Sequence, residues 1–94
     1  MEIIDITSEK QVTGGWLFMV KVNDENSSTE HAVTVDESYW KKLTGETIPP
    51  AKLVKKSFEF LLDNEPKESI LSTFDLSVIS KYFPEYEEKI KQPA

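Results

Sequence analysis

The chain has one histidine, His31, and no cysteine, so any chemistry it performs must come from an imidazole, carboxylates, lysines or hydroxyls. Within EHAVTVDESYW, residues 30–40, His31 is the side chain that could act as a general base. It alternates with Val33 and Val35, which in an extended strand puts the imidazole on the apolar face. A packed, hydrogen-bonded histidine is therefore expected; a small acid/base enzyme using His31 and a neighbouring carboxylate is the catalytic alternative. A lone histidine without cysteines supports neither a thiolate nor a two-histidine zinc site. NDENSS opens like a calcium loop, but Thr29 stands where the turn glycine belongs and Val35 where the bidentate glutamate belongs. Gly14-Gly15 lacks the lysine and hydroxyl of a phosphate loop and the spacing of a dinucleotide fingerprint, and no serine sits in a nucleophile elbow. No catalytic, metal or cofactor residue is assigned, and a non-catalytic protein is expected.

Charge and aromatic side chains offer binding chemistry instead. Seventeen acids against eleven lysines leave a net charge of -6, and there is no arginine to grip a phosphate or carboxylate with a planar fork. The lysines are unevenly spread. Residues 39–56 carry Lys41, Lys42, Lys52, Lys55 and Lys56 against Glu46 alone, while both flanking segments are acidic. Those five lysines are the candidate anion-binding residues, and a nucleic-acid-binding or antitoxin-like regulator is the reading they support. The plainer reading is that they neutralise the acidic ends as solvated helix-face charges. Trp16, Trp40 and Phe60 are candidate interface anchors, because large aromatics dominate interface energetics; core packing is the competing role.

Periodicity assigns the strands and helices that carry these groups. Strands are expected at about 2–7, 16–23 and 29–36, the second with Trp16, Phe18, Val20 and Val22 on one face, and a Thr13-Gly14-Gly15 turn before it. Asp36 is placed to cap a helix over 37–44 that stops at Gly45. Pro50 opens a helix over 50–63, with Leu53, Val54, Ser57, Phe58, Leu61 and Leu62 as its stripe and Phe60 off it. Helices at 66–72 and 76–90 complete the chain, the last capped by Asp75 and interrupted at Pro84.

Two resemblances bear on this order. The segment 29–64, with TVDESYWKKLTG and AKLVKKSFEFLLDN, resembles the strand-helix-turn-helix order of ribbon-helix-helix DNA-binding proteins and their antitoxin relatives. That resemblance implies paired strands from two chains in the major groove; here the strand's polar face offers Glu30, Thr34 and Asp36, and Pro49 and Pro50 remove two amide donors, so nucleic acid is disfavoured. VTVDESYWKKLTG, LVKKSFEFLLDNEPKESIL and FDLSVISKYFPEYEEKI resemble a set of small uncharacterised bacterial proteins over roughly the last two-thirds of the chain. That likeness implies a bacterial cytosolic origin and a self-contained domain, with no site.

Ninety-four residues with 38% hydrophobic content make one domain, residues 1–94, of the α+β class. The expectation is a three-stranded antiparallel β-meander followed by three to four short helices packed on one face, with Val20, Val33, Val35, Phe58, Leu61 and Ile79 in the core. The first ten residues carry acids and no long apolar run, so neither a signal peptide nor a membrane span is expected, and the location is expected to be cytoplasmic. A sheet this small has open edges, so self-association as a homodimer is expected, with an unidentified protein or peptide as a further partner. The functional expectation is a non-catalytic protein-interaction module.

Overall fold

The structure is a computed structural model that describes residues 2–91. Its α+β fold is built on a four-stranded sheet in the order β1-β2-β3-β4, where the expectation was three strands. β1 (Ile3–Val12), β2 (Gly15–Asn23) and β3 (Ser28–Asp36) form the antiparallel meander. Gly14, at φ 81°, makes the tight turn into β2, and a Cβ at Gly15 would collide with the Val35 carbonyl oxygen. Pairing of Phe18 with Val33, and of Val20 with His31, aligns the apolar residues of β2 and β3 on one face.

β1 runs five residues past its expected end at 7. The apolar alternation of Ile4 and Ile6 stops at a bulge between Ile6 and Ser8, beyond which Glu9, Lys10 and Gln11 are all exposed. Backbone pairing to β2, not side-chain burial, holds that second half. β4 (Thr73–Asp75) is the strand that periodicity missed. It lies parallel to β3, with Val33 opposite Phe74, and Thr34 Oγ1 donates to Asp75 Oδ1 at 2.7 Å. Three residues are too few to show an alternation.

The helices pack on the face that carries Phe18, Val20, Val22, Val33 and Val35. α1 (Glu37–Thr44) ends at Gly45, whose left-handed φ of 60° lets its amide bond the Lys41 carbonyl. Asp36 does not cap α1 as expected. The Glu37 amide donates to the Gly14 carbonyl at 2.8 Å, and the Asp36 carboxylate takes the Ser38 hydroxyl instead. α2 (Pro50–Asn64) buries Leu53, Val54, Ser57, Phe58 and Leu61. Burial of its four apolar members contributes about 1.5–3 kcal/mol each before entropy is subtracted.

Past α2 the expected helix at 66–72 shrinks to one 3-10 turn, Lys67–Ser69, because the chain must straighten to enter β4. The expected helix at 76–90 is three pieces: a 3-10 turn at Leu76–Val78, α3 (Ile79–Tyr82) and α4 (Tyr86–Lys91). Pro84, without an amide and restrictive of Phe83, separates α3 from α4. Asp75 does cap the first piece, its carboxylate accepting the Ser77 amide. Val20, Val33, Val35, Phe58, Leu61 and Ile79 are all buried, with Tyr86 and Phe18 the largest fully enclosed side chains. Among the described residues no helix is long and apolar enough to cross a membrane.

Candidate functional site

The end of α2, the straight segment before β4 and α3 enclose a groove of about 350 Å³. Leu61, Ile70, Phe74, Ile79 and Phe83 form its floor and walls, and its rim includes two of the more exposed large apolar side chains, Leu71 (48% exposed) and Tyr82 (68%). Each wall has a local cause. α2 brings Leu61 in on its apolar stripe, Pro66 breaks that helix, and the Phe83-Pro84 break leaves α3 too short to close over the gap.

Among the described residues Glu65 is the one carboxylate in the lining. Val54, Phe58, Leu61 and Glu65 follow each other at four, three and four residues, so the acid stands where the buried stripe of α2 would continue. Partial burial raises its pKa above the ordinary glutamate value, the single cause being lost hydration. Among the described residues no lysine lies within ion-pair distance of it.

Other polar groups withdrawn from water are fully matched. Lys67 is 3% exposed, and its ammonium donates to Asp24 Oδ2 and to Glu68 Oε2, both at 2.6 Å. The Lys67 hydrogen bond, then the amides of Asn26 and Ser27, hold Asp24 well below the usual carboxylate range. The same ammonium lowers Glu68, and Asp24 first, then Glu68, raise Lys67. Tyr86 Oη and Ser57 Oγ lie 2.6 Å apart; since Ser57 donates to the Leu53 carbonyl, the tyrosine is the donor of this pair. Burial pushes the Tyr86 hydroxyl up. Tyr39 donates to Glu87, which also meets Lys42 at 3.3 Å; Tyr39 first, then Lys42, lower the Glu87 carboxyl.

His31 is 2% exposed. Its Nδ1 lies 2.7 Å from the Leu71 carbonyl, which can only accept, so Nδ1 carries a proton and Nε2, 2.8 Å from Thr29 Oγ1, accepts from that hydroxyl in the neutral ring. The ring packs against Phe58 at 5.4 Å. Both nitrogens are engaged, and the groove lining does not include the residue. The imidazole thus fastens β3 to the segment leading into β4.

Of the expected anchors, Trp16 and Trp40 meet edge to face at 5.4 Å, half-buried, and Trp40 Nε1 donates to the Ile48 carbonyl. Phe60 is half-buried against Phe83 and Tyr86, so it backs one wall of the groove. The five lysines do not form one site. Lys42 pairs with Glu87 and Lys41 sits 4.0 Å from Glu37, whereas Lys52, Lys55 and Lys56 lie together on α2. β3 is paired on both sides, to β2 and to β4, which leaves it no free edge for the two-chain ribbon of the ribbon-helix-helix order.

Sequence reasoning missed the groove and the Lys67 cluster. For the groove, the interruption of a helical apolar stripe by Glu65 was the available signal. For Lys67 there was none, because Asp24 lies far away in the chain. No family model, no curated protein and no solved structure matches this chain.

Proposed function

We propose that this chain is a non-catalytic protein-interaction module whose groove receives an apolar segment of a partner protein bearing a lysine or arginine. The observation that carries this reading is Glu65, a partly dehydrated carboxylate that meets no cation among the described residues, in a groove lined mostly by apolar side chains with Ser69 and the Tyr82 hydroxyl beside them. A carboxylate kept from water in that setting is costly until an opposite charge meets it, and a cation delivered on an apolar side chain removes both costs together. The volume, about 350 Å³, suits a few side chains. It lies at the small end of the range for ligand pockets, ~300–1,000 Å³. Leu71 and Tyr82 at the rim supply apolar and aromatic contact of the kind that carries interface energy.

The test uses capped helical peptides of leucine and lysine, with matched peptides in which glutamate replaces lysine, followed by amide NMR. Lysine peptides are expected to shift Leu71, Phe74 and Val78, and Glu65→Gln to weaken them about tenfold, or ~1.4 kcal/mol. Glutamate peptides are expected not to bind. Equal binding of the two peptide classes, or shifts confined to other surfaces, would overturn the reading.

A further inference from the structure

β1 is the long open edge of the sheet: among the described residues its ten residues pair only to β2, while the other edge, β4, is three residues long. An unpaired strand of this length is a template for another strand. Its side chains point to one kind of strand in particular. Ile3 and Val12, 58% and 38% exposed, stand at its two ends, with Asp5 and Lys10 each two residues further in. Read backwards, the strand therefore matches itself, apolar to apolar and acid to base.

The bulge decides whether that match is physically usable. In a regular strand, positions 3 and 12, or 5 and 10, point to opposite faces and could not meet across an antiparallel pair. Here the register with β2 shifts between Ile6 and Ser8, so Asp5 aligns with Lys21 and Lys10 with Leu17, all on the sheet face away from the helices. The extra residue thus brings Ile3, Asp5, Lys10 and Val12 to a single face. A bulge and a lysine commonly serve to blunt an edge. In this strand the bulge falls at the centre of the self-match, and the lysine meets an acid.

We propose that two copies of this chain pair antiparallel through β1 about a two-fold axis between Thr7 and Ser8, placing Asp5 opposite Lys10 and Ile3 opposite Val12 of the other copy. Both contacts then occur twice, as a two-fold interface requires, and the two sheets become one. On the helix-bearing face Ile4 and Ile6 meet the stems of Gln11 and Glu9. The pairing leaves the groove at the far side of the sheet order untouched and does not depend on what the groove binds.

The chain's lack of cysteine makes the register directly readable. Sedimentation of the full chain at ~100 µM is expected to give a dimer, the concentration being set by the weak edge-to-edge contact. Asp5→Lys is expected to raise the dimer Kd at least about tenfold by placing like charges across the pair, and adding Lys10→Glu to the same chain to restore it. Under oxidation, a mixture of Asp5→Cys and Lys10→Cys chains should form disulfide-linked dimers in preference to either variant alone, since directly opposed Cβ atoms lie ~4.5–5.5 Å apart. A monomer at that concentration would overturn the proposal. So would a dimer that is unaffected by Asp5→Lys, or one in which Asp5→Cys links to itself as readily as to Lys10→Cys.

Discussion

Glu65 and Lys67 stand two residues apart in the chain and meet opposite fates. Lys67 turns inward and finds Asp24 and Glu68, each at 2.6 Å, so its charge is matched inside the molecule. Glu65 enters a mostly apolar groove and meets no cation among the described residues, and its pKa rises because hydration is lost. A withdrawn charge with internal partners is structure. One without them is where we propose that a partner supplies the missing charge, and the difference lies in the surroundings and not in the residue type.

Removing the matched cation is expected to cost the most stability. Lys67→Met leaves two carboxylates without the ammonium that matches them, and the midpoint of thermal unfolding is expected to fall further than in His31→Leu or Tyr86→Phe. The pH dependence follows from the direction of the shifts. Asp24 and Glu68 have lowered folded pKa values, so the unfolded chain binds more protons, and their contribution is present above the ordinary carboxylate range and lost as pH falls through the folded values. In Lys67→Met the acid limb of the stability curve is expected to become shallower. An unchanged limb would mean the cluster does not couple to folding.

Next in size is His31→Leu, which removes the proton that Nδ1 gives to the Leu71 carbonyl and leaves that acceptor without its donor. A loss of about 1–3 kcal/mol in denaturant unfolding is expected. A variant as stable as the parent would show that the strap between β3 and β4 carries no weight. Tyr86→Phe removes one hydroxyl from the buried pair with Ser57, and a loss of about 0.5–1.5 kcal/mol is expected in the same assay.

Glu65→Gln is the smallest change and has the opposite sign. With the folded pKa raised, the ionised acid weakens the fold above that value and ceases to do so as pH falls below the ordinary glutamate range. The amide is therefore expected to raise the midpoint by ~2 °C at pH 7, and to match the parent in acid. A substitution that stabilises the fold while weakening peptide capture is the pattern of a residue kept for binding.

What was legible in the sequence shared one property: a side-chain period long enough to be counted and buried on one side. β2, β3 and α2 have it, and Val20, Val33, Phe58 and Leu61 are buried as their spacing required. The second half of β1 has polar residues on both faces, and β4 has a single buried side chain, Phe74, so neither leaves a period. The parallel pairing of β4 to β3 joins Ala32 to Thr73, a separation in the chain that no local pattern encodes. The groove is hidden for a related reason, since three elements contribute only their ends to it. Glu65 is the exception: an acid at the next stripe position after Leu61 is visible in the sequence, but it coincides with the signals that end a helix.

The carboxyl of Glu65 can be observed directly by carbon NMR as pH is varied, first alone and then with a saturating leucine-lysine peptide. The free protein is expected to titrate above the ordinary glutamate range, and the bound cation to bring that value back down. Titration in the ordinary range, or a raised value that the peptide leaves unmoved, would contradict the proposal that the groove receives cationic apolar side chains.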